Sequence, residues 1–280
     1  MKLIRFGEKG NEKPGIWWEG QRRDCSAWFA DWNADFFRRG GLEDLERLKP
    51  AFGHFPIVPE ATRWASPVAR PALMVCIGLN YADHAQEAGL TPPNEPIFFL
   101  KPVNTLSGPF DPVTIPENSR KTDWELELAF VLGRDVYALA DEQEGASAIA
   151  GYAMANDLSE RHFQLERGGQ WVKGKSLPGF CPLGPWLATT SELPDASDLS
   201  MELSVNGAVR QKGSTAQMIF KPAYVLWYLS QFMQLEAGDI VLTGTPAGVA
   251  LGKGDDAFLR SGDTLDASMD GLGCQLIRFR

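Results

Sequence analysis

Thr122–Gly133, TDWELELAFVLG, and Ala148–Asp157, AIAGYAMAND, decide how this chain is read. The first alternates like a strand, so Glu125 and Glu127, two residues apart, point to one face while Trp124, Leu126 and Leu128 point to the other. Two carboxylates side by side repel, and either full exposure to water or a bound divalent cation relieves the repulsion. These residues alone leave both readings open, a solvated face and a cation site.

The second stretch is apolar and small-residued and runs into Asn156 and Asp157, setting a carboxylate at the mouth of a core. Asp157 is a candidate third ligand. It is equally a candidate helix N-cap for LSERHFQLE (158–166), with Glu160 at the capping-box offset. Three hard oxygen ligands without Cys or paired His favour Mg2+ or Mn2+ over zinc, with positions left for water and substrate.

Outward from this pair lie further β-rich runs broken by Gly and Pro: ALMVCIGLN (72–80), EPIFFLKPV (95–103), MELSVNG (201–207) and DIVLTGTP (239–246). Asn206-Gly207 reads as a hairpin turn, since both central positions of that turn require positive φ. Helices are expected at YADHAQEAG (81–89) and PAYVLWYLSQFM (222–233). Residues 1–70 read as a small α+β unit with a strand at LIRF (3–6), a turn at Gly15, a strand at Ile16–Trp18 and a helix through GGLEDLERLKP (40–50). The Pro-rich stretch from Pro56 to Pro71 reads as a linker. The expected fold is therefore mainly β, of α+β class, with domains at 1–70 and 71–280.

At 280 residues the chain can bury a substantial core, and 44% hydrophobic with 22% charged residues is ordinary globular composition. A net charge of −9 leaves no basic stripe for phosphates, so nucleic acid is not an expected partner. An anionic substrate would need a local cluster of cations. Cys25, Cys76, Cys181 and Cys274 are too scattered for a zinc knuckle or a disulfide framework. No signal-peptide core and no membrane-length apolar run is present, and the expectation is a cytoplasmic protein.

His84 and Glu87, three apart on an expected helix, share a face, and a carboxylate that orients an imidazole makes a general base. An exposed helix with an accidental pair is the alternative. The chain holds three histidines, His54, His84 and His162, so few compete for the role. GGQWVKGKS (168–176) sets Lys173 and Lys175 beside glycines, and TGTPAGV (243–249) sets Thr243 and Thr245 in a Gly-rich turn after a strand; both suit a carboxylate-binding pocket.

Taken in order, GLNYADHAQEAG, EPIFFLKP, DWELELAFVLG, ANDLSER, GGQWVKGKS, MELSVNG, QMIF and GDIVLTGTPAGV resemble the fumarylacetoacetate hydrolase superfamily over residues 72 to 280. The resemblance implies a mixed β-sandwich roll, in a homodimer. It also implies that Glu125, Glu127 and Asp157 hold the metal, that His84 with Glu87 is a water-activating dyad on a lid, and that Lys175 binds or polarises substrate. Lys101, Arg161, Gln170 and Thr245 fall on positions implied to line the pocket. The whole-length pattern, including QLERGGQWVKGKS (164–176), is similar to the acylpyruvase branch that acts on 2,4-diketo-3-deoxy-L-rhamnonate. Pro178 departs from it, standing where many relatives have Asp.

The activity this implies is metal-dependent hydrolysis of the C3–C4 bond of a 2,4-dioxo acid, releasing pyruvate and a carboxylic acid such as lactate. An oxaloacetate-type decarboxylase, an isomerase or a hydratase could use the same site. A non-catalytic protein binding metal and carboxylate is the alternative from another class.

Overall fold

The computed structural model describes residues 1–87, 89 and 91–280. A ten-stranded sheet dominates it. Its strands run in the order Gln21–Asp24, Lys13–Trp18, Lys2–Phe6, Leu187–Thr189, Ile149–Asn156, Leu126–Leu132, Ile240–Leu242, Met74–Gly78 and Ile97–Leu100, with Trp64–Ala65 paired beside Lys2–Phe6. Ile240–Leu242 and Met74–Gly78 run parallel, whereas the strands at the centre pair antiparallel. A second sheet of four strands, Ala208–Ser214, Ser200–Val205, Thr264–Met269 and Gly273–Arg278, packs beside it. The fold is the mixed, strand-dominated α+β arrangement expected.

Leu126–Leu132 is buried along its whole length, so its two faces feed different cores. Leu126 and Leu128 join Trp124 in a cluster beneath the second sheet, with Leu203, Leu265 and Ile277. Ala129 and Val131 pack on the opposite face with Leu3, Trp32 and Leu187. Phe130 and Leu132 meet Val225, Leu226 and Leu229 of the helix Pro222–Ser230. Glu125 and Glu127 are themselves 7% and 1% exposed, and that burial removes the solvated-face reading of the pair.

Local signals mostly act where the sequence puts them. Asn206 and Gly207 have φ of 51° and 76° and close the hairpin between Val205 and Ala208. The helix Gly41–Leu48 forms within GGLEDLERLKP. Gly15 differs: it lies inside the strand Lys13–Trp18, where a Cβ would stand 2.6 Å from the Arg23 carbonyl oxygen of the next strand. Its lack of a side chain serves close strand approach and not a turn. The strands of residues 1–70 extend the same large sheet, Lys2–Phe6 pairing with Leu187–Thr189. Within the Pro56–Pro71 stretch, Trp64–Ala65 adds to that edge. Among the described residues no helix is long and apolar enough to cross a membrane.

Candidate functional site

Glu125, just ahead of the strand, and Glu127, within it, point together into one cavity of about 230 Å³. Asp157 follows the neighbouring strand, and its amide donates to the Glu125 carbonyl at 2.9 Å. Asn156 accepts from the Glu125 amide at 3.1 Å, so the two strand ends are pinned to each other. Carboxylate oxygens of Glu125, Glu127 and Asp157 all lie within 4.8 Å of one another, with exposures of 7%, 1% and 0%. Asp157 does not cap a helix. Glu160 caps Arg161–Leu165, accepting from the His162 amide.

Buried like charges need cations, and three side chains bring them. Lys175 Nζ lies 2.7 Å from Glu125 Oε2 and 2.7 Å from Asp157 Oδ2. Lys101 Nζ is 2.7 Å from Asp157 Oδ1 and donates to the Leu158 carbonyl at 3.0 Å. Arg161 Nη1 meets Glu125 Oε1 at 2.7 Å, and Asp123 holds its Nε at 2.8 Å. Burial alone would raise Glu125, yet the charges of Lys175 and Arg161 outweigh it and hold the carboxyl at about 2. Burial, and then the charges of Asp157 and Glu125, push Glu127 well above the usual carboxylate range. The donor set is all oxygen, clustered and still in mutual repulsion at Glu127. It fits a hard divalent cation such as Mg2+ or Mn2+ and would gain from one.

Lys175 reaches the carboxylates from the short helix Val172–Lys175, which lies tight on Arg161–Leu165. At Gly174 a Cβ would stand 2.4 Å from the Glu160 carbonyl oxygen and 2.6 Å from Gln164 Cβ. Burial alone would lower the Lys175 ammonium, but Asp157 and Glu125 outweigh it and hold it above the ordinary lysine range. Lys173 is exposed and donates to the Arg167 carbonyl at 2.6 Å, away from the site.

His84, on the helix Ala82–Glu87, lines the cavity and is 9% exposed. Its buried Nδ1 has no hydrogen-bond partner among the described residues and lies 3.6 Å from Glu87 Oε2. Glu87 instead accepts from the Gly248 amide at 2.9 Å, with Lys253 Nζ 3.5 Å away. Thr245 lines the cavity, but its hydroxyl donates to the Leu126 carbonyl and accepts from Gln211 Nε2, both at 2.8 Å. Thr243 is likewise spent on the Leu128 carbonyl. Between them, the Gly244 amide donates to Glu127 Oε2 at 2.7 Å. Gly244 has φ of 91°, a conformation that favours glycine.

Lys101 and Asp157 stand behind the cavity wall and not on it, and Gln170 is exposed and does not line it. Gln164 takes the place expected of Gln170, lining the cavity and accepting from Arg161 Nη1 at 3.0 Å. Its spacing of three from Arg161 on one helix was a readable signal. Asp123, which steadies Arg161, and the aromatic wall of Phe99 and Trp171 lie on separate segments whose meeting only the fold reveals. Pro178 is exposed and also lies off the cavity lining.

A buried cluster of three carboxylates beside an imidazole, at the ends of paired strands in a mixed β roll, makes a candidate metal centre at a small-molecule cavity. Residues 73–280 match the family described as fumarylacetoacetate (FAA) hydrolase C-terminal, and the chain belongs to that family. A Burkholderia ambifaria protein 45% identical over 281 residues, covering 99% of this chain and 98% of its own, carries only the provisional description of a hydrolase. A fumarylacetoacetate hydrolase from Exiguobacterium antarcticum is 32% identical with a TM-score of 0.85, covering 100% of this chain and 99% of its own. Maleylpyruvate hydrolase from Sphingobium sp. SYK-6, solved with manganese(II) and pyruvate, is 27% identical with a TM-score of 0.82, over 100% of this chain and 98% of its own.

Proposed function

We propose that this chain is a divalent-metal-dependent hydrolase that cleaves the C3–C4 bond of a 2,4-dioxo acid, an acylpyruvate, to pyruvate and a carboxylic acid. One observation carries the reading: the buried His84 imidazole, its Nδ1 unpartnered among the described residues, shares a cavity with carboxylates of the Glu125, Glu127 and Asp157 cluster. A base and a cation site that open on one pocket suit attack by water on a polarised carbonyl.

Mg2+ or Mn2+ held by Glu125, Glu127 and Asp157 would supply Lewis-acid charge to the 1-carboxylate and 2-oxo end of the substrate. Arg161, whose buried Nη2 has no partner among the described residues, offers a further donor to that carboxylate. His84 takes a proton from water as the oxygen adds to C4. Collapse of the tetrahedral centre then breaks C3–C4, and the bonding pair passes to C3, giving pyruvate in its enolate form. A proton returned from the imidazole to C3 completes the balance, with one water consumed, its OH on the acyl group and its H on pyruvate. Glu87 would orient the imidazole on closing the 3.6 Å gap, and Lys175 would steady developing negative charge.

The manganese and pyruvate in the maleylpyruvate hydrolase structure support this reading. 2,4-Diketo-3-deoxy-L-rhamnonate, which would give lactate, is one substrate within the class. A structure described as a 5-carboxymethyl-2-hydroxymuconate delta-isomerase from Mycobacterium smegmatis, 29% identical with a TM-score of 0.78, keeps an isomerase as the second reading. In the reading preferred here the enzyme acts in the cytoplasm as a homodimer, residues 71–280 carrying the machinery and 1–70 a smaller companion domain. The test is pyruvate release from acylpyruvates with Mg2+, with Mn2+ and with a chelator. Metal-dependent release of pyruvate and the matching acid is expected, and isomerised or decarboxylated product in their place would overturn the reading.

A further inference from the structure

The geometry points to a substrate whose acyl group, beyond C4, is an apolar arm carrying no second carboxylate, seated against Trp171. This inference rests on the dioxo-acid reading above and sharpens it.

The cavity is divided. Its charged side chains are Glu125, Glu127, Arg161 and Lys175: Lys175 is engaged by Glu125 and Asp157, Arg161 Nε and Nη1 by Asp123 and Glu125, and Glu127 by the Gly244 amide. Leading away from them, the Phe99 ring centroid lies 5.3 Å from Lys175 Nζ. Trp171 then stands edge-on to Phe99, centroids 5.5 Å apart and planes at 77°. Ile77, Leu79, Leu165 and Leu251 add further apolar lining to the cavity. Among the described residues lining the cavity, Arg161, Lys175 and His84 are the cationic or basic ones, and Lys175, the one beside Phe99, is already engaged by Glu125 and Asp157. A carboxylate or a hydroxylated chain seated against the two aromatic rings would lose water there, whereas methylenes would gain by leaving water.

Trp171 is fixed by an absence. It beds on Gly78, where a Cβ would stand 2.7 Å from Trp171 Cζ3. Gly78 ends the strand Met74–Gly78, so the sheet itself sets how far the indole stands from the carboxylate end. Trp171 is on this account a specificity-determining residue, and Gly78 positions it.

Two measurements on the full chain with Mn2+ test this. In the first, kcat/KM is determined for acetyl-, propionyl-, butyryl- and pentanoylpyruvate, for succinylpyruvate as the carboxylated counterpart, and for the hydroxylated lactoyl compound. The expected result is a rise of about threefold to fourfold per methylene until the arm is full. Propionyl should exceed lactoyl, and the succinyl compound should fall at least about thirtyfold below pentanoyl. In the second, calorimetry measures binding of unreactive 2-oxobutanoate, 2-oxopentanoate, 2-oxohexanoate and 2-oxoglutarate, with the same ranking expected. In Trp171→Ala and Gly78→Ala the chain-length slope should flatten, mainly through KM; equal losses on every substrate would assign Trp171 a merely structural part.

If acylpyruvates are cleaved with a flat profile, or the carboxylated one best, the apolar arm is overturned and the hydrolase reading stands. If none is cleaved but 2-oxo acid binding climbs with chain length, the arm stands and the reaction reading falls. No cleavage with flat or absent binding would sink both.

Discussion

His84 Nδ1 and Glu87 Oε2 face each other at 3.6 Å, close enough to attract and too far to hydrogen-bond. Glu87 is held at that distance by the Gly248 amide, in the loop that also carries Gly244 and Thr245. Both residues lie on the helix Ala82–Glu87, so the gap closes by rotation of the Glu87 side chain off the Gly248 amide, which would give His84 its orienting carboxylate. His84→Ala should therefore lower kcat by about 10² to 10⁴. Glu87→Gln should cost less, about tenfold, because the amide still accepts from the imidazole. Steady-state kinetics with Mn2+ affinity measured in parallel would check this, and unchanged kcat in His84→Ala would remove the base.

Lys175 should show two separable effects. With both neighbouring carboxylates at 2.7 Å, Lys175→Met leaves them buried and facing one another, a loss of about 3 kcal/mol or more from the metal-free protein. Thermal unfolding without metal should fall markedly, and saturating Mn2+ should restore much of it. Turnover should remain about a hundredfold down even when metal is saturating, since a charge-stabilising donor is gone. Full recovery of kcat by metal would mean that Lys175 serves the fold alone.

A metal held by the three carboxylates would be a stabiliser as well as a catalyst. A cation bound only by the folded chain adds about 2.7 kcal/mol at a concentration of 100 times its Kd. Mn2+ titration should raise the unfolding temperature of the wild type, and Glu127→Gln, removing one of the three ligands, should blunt the rise. Equal shifts in both proteins would place the metal elsewhere.

The link between residues 1–70 and the rest is open to a pH test. Arg63 Nε and Nη2 donate to Asp111 Oδ1 at 2.7 Å and Oδ2 at 2.6 Å, and the Gly108 amide donates to Oδ2 at 2.9 Å. Burial alone would raise Asp111, but Arg63 outweighs it and leaves the carboxyl below its ordinary value. A depressed folded pKa stabilises above the unfolded value, about 3.9, and that contribution is lost as pH falls through the folded value. Asp111→Asn should cost about 2 kcal/mol near pH 7, the difference shrinking below about pH 4. Denaturant melts at several pH values would check it, and a gap independent of pH would contradict the ion pair.

Much of the site was legible because it follows the strand period. Glu125 and Glu127 share a face for the reason the sequence suggests, and the apolar run into Asp157 does end at the site. Burial was not legible from Glu-x-Glu, since alternation alone cannot say whether a strand is covered on one face or two. The second sheet and the helix Pro222–Ser230, contributed from far along the chain, decide that. Gln170 and Gln164 show the limit of reading by motif: both lie near Lys175, and only the packing of two short helices through Gly174 sets which one turns inward. Gly15, read as a turn, is a close-packing glycine because a second strand lies across it. Trp171 was invisible as a wall because Phe99 and Gly78, its partners, come from strands about seventy and ninety residues earlier.

The most direct measurement is cleavage of propionylpyruvate in H2¹⁸O with Mn2+, with the released acid examined by mass spectrometry. C–C hydrolysis with His84 activating water predicts one ¹⁸O in propionate for each pyruvate formed, with no CO2 and no turnover after chelation. Release of CO2 without propionate, or consumption of substrate without ¹⁸O in any acid, would contradict it.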